Sequence, residues 1–118
     1  MSDVDQYIAR FNPEIRTRLL TIRDIAQQAF RDADEKLHYG SPAFAKNEKV
    51  FMFYGAYKAH SSICVGYDWV DFLKQQFPQY SYTQATIIFP HKEPFPQEIV
   101  RVICDLLKQG HGGTAGCS

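Results

Sequence analysis

The chain has 118 residues, of which 45% are hydrophobic and 22% are charged, as expected for one soluble globular domain. Thirteen basic and thirteen acidic side chains give a formal net charge of zero, which argues against nucleic acid as the main partner. The apolar runs are too short to span a bilayer and the first residues are polar, so the sequence predicts neither membrane association nor a secretory signal. We expect a cytoplasmic protein.

The N-terminal part of the chain predicts two helices. Ser2 or Asp3 is a candidate cap for a short first helix. Asn12, Pro13 and Glu14 then provide an N-cap, a proline at the first helical position and an acid in the first turn of a longer helix. This second helix carries an apolar stripe at intervals of three or four residues, made of Ile15, Leu19, Ile22, Ala26 and Ala29. We expect the stripe to be buried and the arginines of the helix to lie in solvent.

The middle of the chain changes to the two-residue period of strands. Gly40, Ser41 and Pro42 predict a turn in which the glycine has a positive φ. The aromatic run 50–57 favours a strand, and 61–67 follows at a spacing typical of an antiparallel partner.

The remaining segments predict a helix, two strands and a final helix. The helix is expected at 68–77 and the strands at 80–82 and 87–89. Pro94-Phe95-Pro96 opens the final helix, whose apolar face consists of Ile99, Val100, Ile103, Leu106 and Leu107. This order indicates an α+β domain over residues 1–109, with a mostly antiparallel sheet and the N-terminal and C-terminal helices packed on one face.

Cysteines and glycines mark the rest of the chain. Three cysteines at distant positions are neither the dense, even set of a disulfide framework nor the close pairs of a structural zinc site. We expect Cys64 and Cys104 to be small buried hydrophobic residues in a strand and a helix. Segment 110–118 is rich in glycine, and we expect it to be a disordered tail.

Three acids cluster where the second helix is expected to end. Asp32, Asp34 and Glu35 could place carboxylate oxygens around a hard or borderline cation such as Fe²⁺. Acids near a helix C-terminus oppose the helix dipole, which favours a functional explanation. The alternative explanation is a solvated turn.

A second candidate site lies around the aromatic strand. Lys58 and His60 follow Tyr57, and the expected pairing brings Tyr39 and Phe44 close to them. A lysine, a histidine and aromatic rings around a cleft could bind an anion. The alternative is structural, with Lys58 at a sheet edge and His60 bonded to a turn carbonyl. Folding could also bring His38 close to His60.

Read together, five segments in this order resemble the YdhG-like family, a bacterial domain of unknown function often described as an iron chaperone or as frataxin-like. The resemblance covers about residues 3–108. Its segments are Val4-Asp5-Gln6-Tyr7-Ile8, Tyr39-Gly40-Ser41-Pro42-Ala43-Phe44, Tyr57-Lys58-Ala59-His60, Ala85-Thr86-Ile87-Ile88-Phe89-Pro90 and Pro94-Phe95-Pro96. Ala85 departs from the glycine usual in the family, which puts in doubt any function that needs a glycine there.

The resemblance implies a frataxin-like α+β sandwich and a non-enzymatic role in binding Fe²⁺ and delivering it to iron–sulfur or haem assembly proteins. It places an acidic ridge on the region of Asp24, Asp32, Asp34 and Glu35. From the residues themselves, the alternative is a binding module, a monomer or homodimer, whose cleft of Tyr39, Phe44, Lys58 and His60 holds a small anionic ligand or a partner peptide. No set of nucleophile, base and orienting group can be assembled from the sequence, so an enzyme is the least favoured hypothesis.

Overall fold

The computed structural model describes residues 2–109, which form four helices and six strands. The predicted tail, 110–118, lies outside the described residues. The helices are α1 (Asp3–Ala9), α2 (Pro13–Ala29), α3 (Tyr67–Gln76) and α4 (Gln97–Gln109). The strands are β1 (Asp34–His38), β2 (Ser41–Lys46), β3 (Lys49–Ala56), β4 (His60–Cys64), β5 (Ser81–Tyr82) and β6 (Thr86–Pro90).

Side-chain caps begin the two N-terminal helices at the predicted residues. The Ser2 hydroxyl accepts a hydrogen bond from the Asp5 backbone N–H at 3.1 Å, and the Asp5 carboxylate accepts one from the Ser2 backbone N–H, also at 3.1 Å. This reciprocal pair is a capping box. Asn12 caps α2 by accepting from the Ile15 N–H at 3.0 Å, and Pro13 takes the first helical position.

The six strands form one antiparallel sheet in the order β1-β2-β3-β4-β6-β5. The chain runs as a meander through its first four strands, and α3 then leads to β5 at the far edge. Strand β6 returns between β4 and β5. The predicted α+β class with an antiparallel sheet is therefore confirmed.

One hydrophobic core joins all four helices to the same face of the sheet. The residues predicted to share this core, Ile22, Ala26 and Ile103, are buried. Cys104 is also buried as expected, and burial raises the pKa of its thiol to about 12, so the thiol stays protonated. Cys64, in contrast, is only half-buried.

Two arginines of α2 differ from the expectation that they would lie in solvent. Arg18 is buried, and its guanidinium donates hydrogen bonds to the backbone carbonyls of His91 at 3.0 Å and Glu93 at 2.6 Å. Its carbon Cζ lies 5.6 Å from the centroid of the Phe95 ring. A cation on an otherwise apolar stripe thus holds the loop before α4 against α2.

Arg23 joins α1, α2 and β1. Its guanidinium bonds Asp5 at 2.6 Å and Glu35 at 2.8 Å, and the Tyr54 hydroxyl donates to Glu35 at 2.6 Å. The bond to Arg23, together with the Ser2 cap, lowers the pKa of Asp5 to about 2. Burial, reinforced by the bond to Glu35, raises the pKa of Tyr54.

The Arg23 network predicts that Glu35 contributes to stability. Glu35→Gln should lower the free energy of unfolding by about 1–3 kcal/mol, because it leaves a half-buried guanidinium and a buried phenol facing a neutral amide. Urea unfolding measures the change. The control is Asp24→Asn, since the described structure gives Asp24 only the exposed Gln28 amide as a side-chain partner. Equal stability of the two variants would contradict the structural role of Glu35.

Candidate ligand-binding site on the open sheet face

The sheet face opposite the helices, here called the open face, holds a concavity of about 390 Å³. Two rows of paired residues cross its floor from β3 to β4 to β6. The rows are Phe53–Cys64–Thr86 and Gly55–Ser62–Ile88. His38, Ser41 and His60 also line the concavity, and Tyr39, Tyr57 and Thr83 belong to its lining from outside the strands.

Strand alternation explains why the two faces differ so strongly. Successive side chains of a strand point to opposite faces, so the apolar Tyr54, Ile63 and Ile87 enter the core. Their neighbours in the strands point the other way, and apart from Phe53 and Ile88 they are small or polar. The open face therefore carries hydroxyls and imidazoles beside these two apolar side chains, where the core face carries aliphatic and aromatic side chains.

Gly55, which lines the concavity, leaves room for the hydroxyl of the core tyrosine Tyr7. A Cβ at this position would lie 2.8 Å from the Tyr7 hydroxyl, closer than real Cβ contacts. The Tyr7 hydroxyl accepts a hydrogen bond from the Ala56 N–H at 3.2 Å, and it lies 3.5 Å from the Ala56 carbonyl, to which it donates. The glycine is thus required by the close approach of the phenol.

His38 and the turn that follows it form one side of the concavity. The Nε2 atom of His38 is buried and has no hydrogen-bond partner among the described residues. Tyr39 (φ 51°) and Gly40 (φ 78°) then make the turn to Ser41, so the prediction of a positive φ at Gly40 is confirmed. A positive φ is strained for Tyr39, which has a Cβ, but not for glycine, and such strain is concentrated at functional sites.

Two exposed tyrosines flank the concavity. The Tyr39 side chain is 84% exposed, and its ring centroid lies 6.4 Å from that of Phe53. Tyr57 is 56% exposed, and its ring centroid lies 5.0 Å from that of His60. Large aromatic side chains in solvent beside a polar concavity can stack on the apolar part of a ligand.

The charge of the lining is unusual for a chain that is 22% charged. Among the described residues that line the concavity there is no Asp, Glu, Lys or Arg. The polar groups are instead two imidazoles and the hydroxyls of serine, threonine and tyrosine. These groups can donate hydrogen bonds, and the imidazoles can also gain a positive charge. The lining contributed by residues 2–109 therefore has no carboxylate to repel an anion.

The structure brings together some of the residues predicted for an aromatic cleft and separates others. Tyr39 and His60 line the same concavity. Phe44 was wrongly expected beside them, because its position in β2 directs its side chain to the core, where it is 1% exposed. Lys58 is exposed in the β3–β4 turn and is not part of the lining. His38 lines the same concavity as His60, as the sequence suggested that folding could arrange.

His91 has a structural role instead. Its Nε2 lies 2.8 Å from the Ser61 hydroxyl and its Nδ1 lies 3.3 Å from the Lys58 carbonyl oxygen. Burial lowers the pKa of His91, which favours the neutral imidazole. This histidine fastens the end of β6 to β4 and the β3–β4 turn.

The acidic segment does not gather its three carboxylates around one point. Asp32 and Asp34 are exposed, whereas the Glu35 carboxylate bonds Arg23, Gln27 and Tyr54. Within residues 2–109, no group of three or more His, Cys, Asp or Glu side chains is arranged to hold a metal ion. The expected trio of Asp32, Asp34 and Glu35 is therefore not a preformed metal site, since Arg23 already neutralises its third member.

Comparisons with known proteins show the fold. No family model matches the sequence, and no curated protein does. YdhG, a DUF1801 family protein from Bacillus subtilis, is similar in structure with a TM-score of 0.76 and 17% identity, over 98% of this chain and 94% of that one. An uncharacterized conserved protein from Lactobacillus casei gives a TM-score of 0.62 and 18% identity, over 92% of each chain. No helix among the described residues is long and apolar enough to cross a membrane.

Gly55 and Tyr7 provide a test of the floor geometry. Gly55→Ala should lower the free energy of unfolding by about 1–3 kcal/mol, because the new methyl group displaces the phenol from the Ala56 backbone. Tyr7→Phe should cost about 1 kcal/mol. The double variant should be more stable than the sum of the two losses predicts, because without the hydroxyl the methyl group has room. Strictly additive losses in chemical unfolding would contradict the close approach.

Proposed function

We propose that this chain is a YdhG-like protein that binds a small anionic molecule with an aromatic or apolar body on the open face. The observation that supports this most directly is that His38 lines the concavity while its Nε2 is buried and has no hydrogen-bond partner among the described residues. A buried polar atom without a partner costs free energy, and a ligand acceptor or a bound water would supply the missing bond.

The lining suits an anion with a flat or apolar body. His38 and His60 would donate to a carboxylate or a phosphate, and the hydroxyls of Ser41, Ser62 and Thr86 would offer further donors. The Phe53 and Ile88 side chains supply apolar surface beside these groups. The combination of apolar walls with a few polar groups is typical of small-molecule sites.

The size of the concavity favours a small molecule over a partner peptide. Its volume of about 390 Å³ lies at the lower end of the usual range for ligand pockets, roughly 300–1,000 Å³. Among the lining residues that the structure describes, no hydroxyl is hydrogen-bonded to an imidazole, so the proposal is one of binding without turnover.

Iron delivery to iron–sulfur or haem assembly proteins, which the frataxin likeness implies, is a separate hypothesis. Its proposed ligands now reduce to the exposed pair Asp32 and Asp34, because Glu35 is engaged by Arg23 and Tyr54. Two surface carboxylates without a preformed cage would bind Fe²⁺ weakly. Anaerobic calorimetry with Fe²⁺ tests this hypothesis, which requires saturable binding that is lost in Asp32→Asn/Asp34→Asn.

Calorimetric titration with phenyl phosphate, benzoate and neutral benzyl alcohol tests ligand binding on the open face. We expect the two anions to bind and the alcohol to bind much more weakly. His38→Leu and His60→Leu, which remove the ring donors, should each weaken phenyl phosphate binding by roughly 10- to 100-fold, since a hydrogen bond to a charged group contributes about 1.5–3 kcal/mol.

Lys58→Gln is the matched control, because Lys58 is a cation two residues from His60 that does not line the concavity. Its affinity for phenyl phosphate should match that of the parent. Unchanged binding by both histidine variants, or equal binding of the alcohol and the anions, would contradict the proposal. A loss confined to the Lys58 variant would move the site to the β3–β4 turn.

A further inference from the structure

A second concavity, here called the cationic notch, lies at the C-terminal ends of α2 and α4. It has a volume of about 200 Å³ and shares no lining residue with the open-face concavity. The C-terminal ends of α2 and α4 and the residues at the β2–β3 turn form it. Phe30, Phe51 and Leu107 supply its apolar surface, and Arg31, Lys46 and Lys108 supply its cations.

A β-bulge directs Phe51 into the notch. Phe44 pairs with Met52 and Ala45 pairs with residue 50, so Phe51 is an extra residue between the two pairs. Regular alternation from Phe53 would have placed the Phe51 ring on the open face. The ring instead packs edge-on against Phe30 with centroids 4.7 Å apart. The bulge thus builds an apolar floor, half-exposed to solvent, where a regular strand would have none.

Within the described part of the chain, the cations of the notch form no salt bridge. Among the described residues, Arg31, Lys46 and Lys108 enter no ion pair, and Asp32 is the one acid in the lining. The three cationic side chains are exposed to solvent, whereas Phe30 and Phe51 are half-buried. Lys108 in the last turn of α4 also complements the helix dipole, but dipole compensation does not require an apolar floor.

We infer that the cationic notch binds a small amphiphilic carboxylate, with the apolar chain on Phe30 and Phe51 and the carboxylate among the cations. An apolar floor with a cationic rim favours a ligand that has both an apolar chain and a negative charge. The volume is below that of drug-sized pockets, which limits the occupant to a short chain or a single ring.

Titration of ¹⁵N-labelled protein with octanoate, followed by backbone amide shifts, tests this inference. We expect saturable shifts in residues 29–33, 46–51 and 106–108. Octylamine has the same chain with the opposite charge and should not bind, and 1-octanol should bind at least fivefold more weakly than octanoate. Saturating phenyl phosphate should leave octanoate binding unchanged, because the two concavities share no residue.

Lys46→Gln/Lys108→Gln should weaken octanoate binding about fivefold or more, because it removes two of the positive charges that would attract the carboxylate. The fold should be unaffected, because both lysines are exposed. The matched control is Lys36→Gln/Lys74→Gln, which removes the same charge from exposed positions outside the notch. Equal weakening in both double variants would show a nonspecific charge effect and overturn the inference. Octanoate shifts confined to the open face, or no saturable shift, would overturn it as well.

Discussion

All four helices pack on the same face of a single antiparallel sheet, and the rest of the structure depends on this constraint. Because strand residues alternate between faces, each strand must carry core side chains at every second position. The positions between them are free of the core and can carry polar groups. In β4, for example, Ile63 is fully buried in the core while Ser62 lines the open concavity.

The core face is held to the helices by polar contacts as well as by apolar packing. Arg23 connects α1 to β1 through two carboxylates, and Tyr54 joins the same network from β3. Arg18 ties the loop before α4 to α2 through two carbonyls. Arg18 is buried among the apolar residues of α2, whereas Arg23 is half-buried beside them, and each holds a loop or a strand to the helix.

The sequence predicted the helices well because their signals are local. Asn12 followed by Pro13 marks the start of α2, and the spacing of Ile22 and Ala26 marks its buried side. The turn at Gly40 was likewise predictable, because its position before Ser41 and Pro42 requires an unusual backbone conformation. These features depend on neighbours within a few residues.

The candidate site was less predictable because it depends on which face each side chain takes. The sequence does not show which face of β2 carries Phe44, so the residue was expected in the cleft although it lies in the core, whereas Tyr39 and His60 do line one concavity. The bulge at Phe51 changes the alternation within β3 and leaves no recognisable signal in the sequence. Ser62 and Thr86 belong to no motif in the sequence, and the strand register is what places them in the floor of the concavity that His38 also lines.

Intermolecular NOEs between phenyl phosphate and isotope-labelled protein test the central claim that ligand binding uses the sheet face opposite the helices. We expect NOEs from the phenyl protons to side chains of the open face, such as Ile88 and Phe53, together with shifts of the His38 and His60 imidazole resonances. NOEs to helix residues or to the cationic notch, with unchanged imidazole resonances, would contradict it.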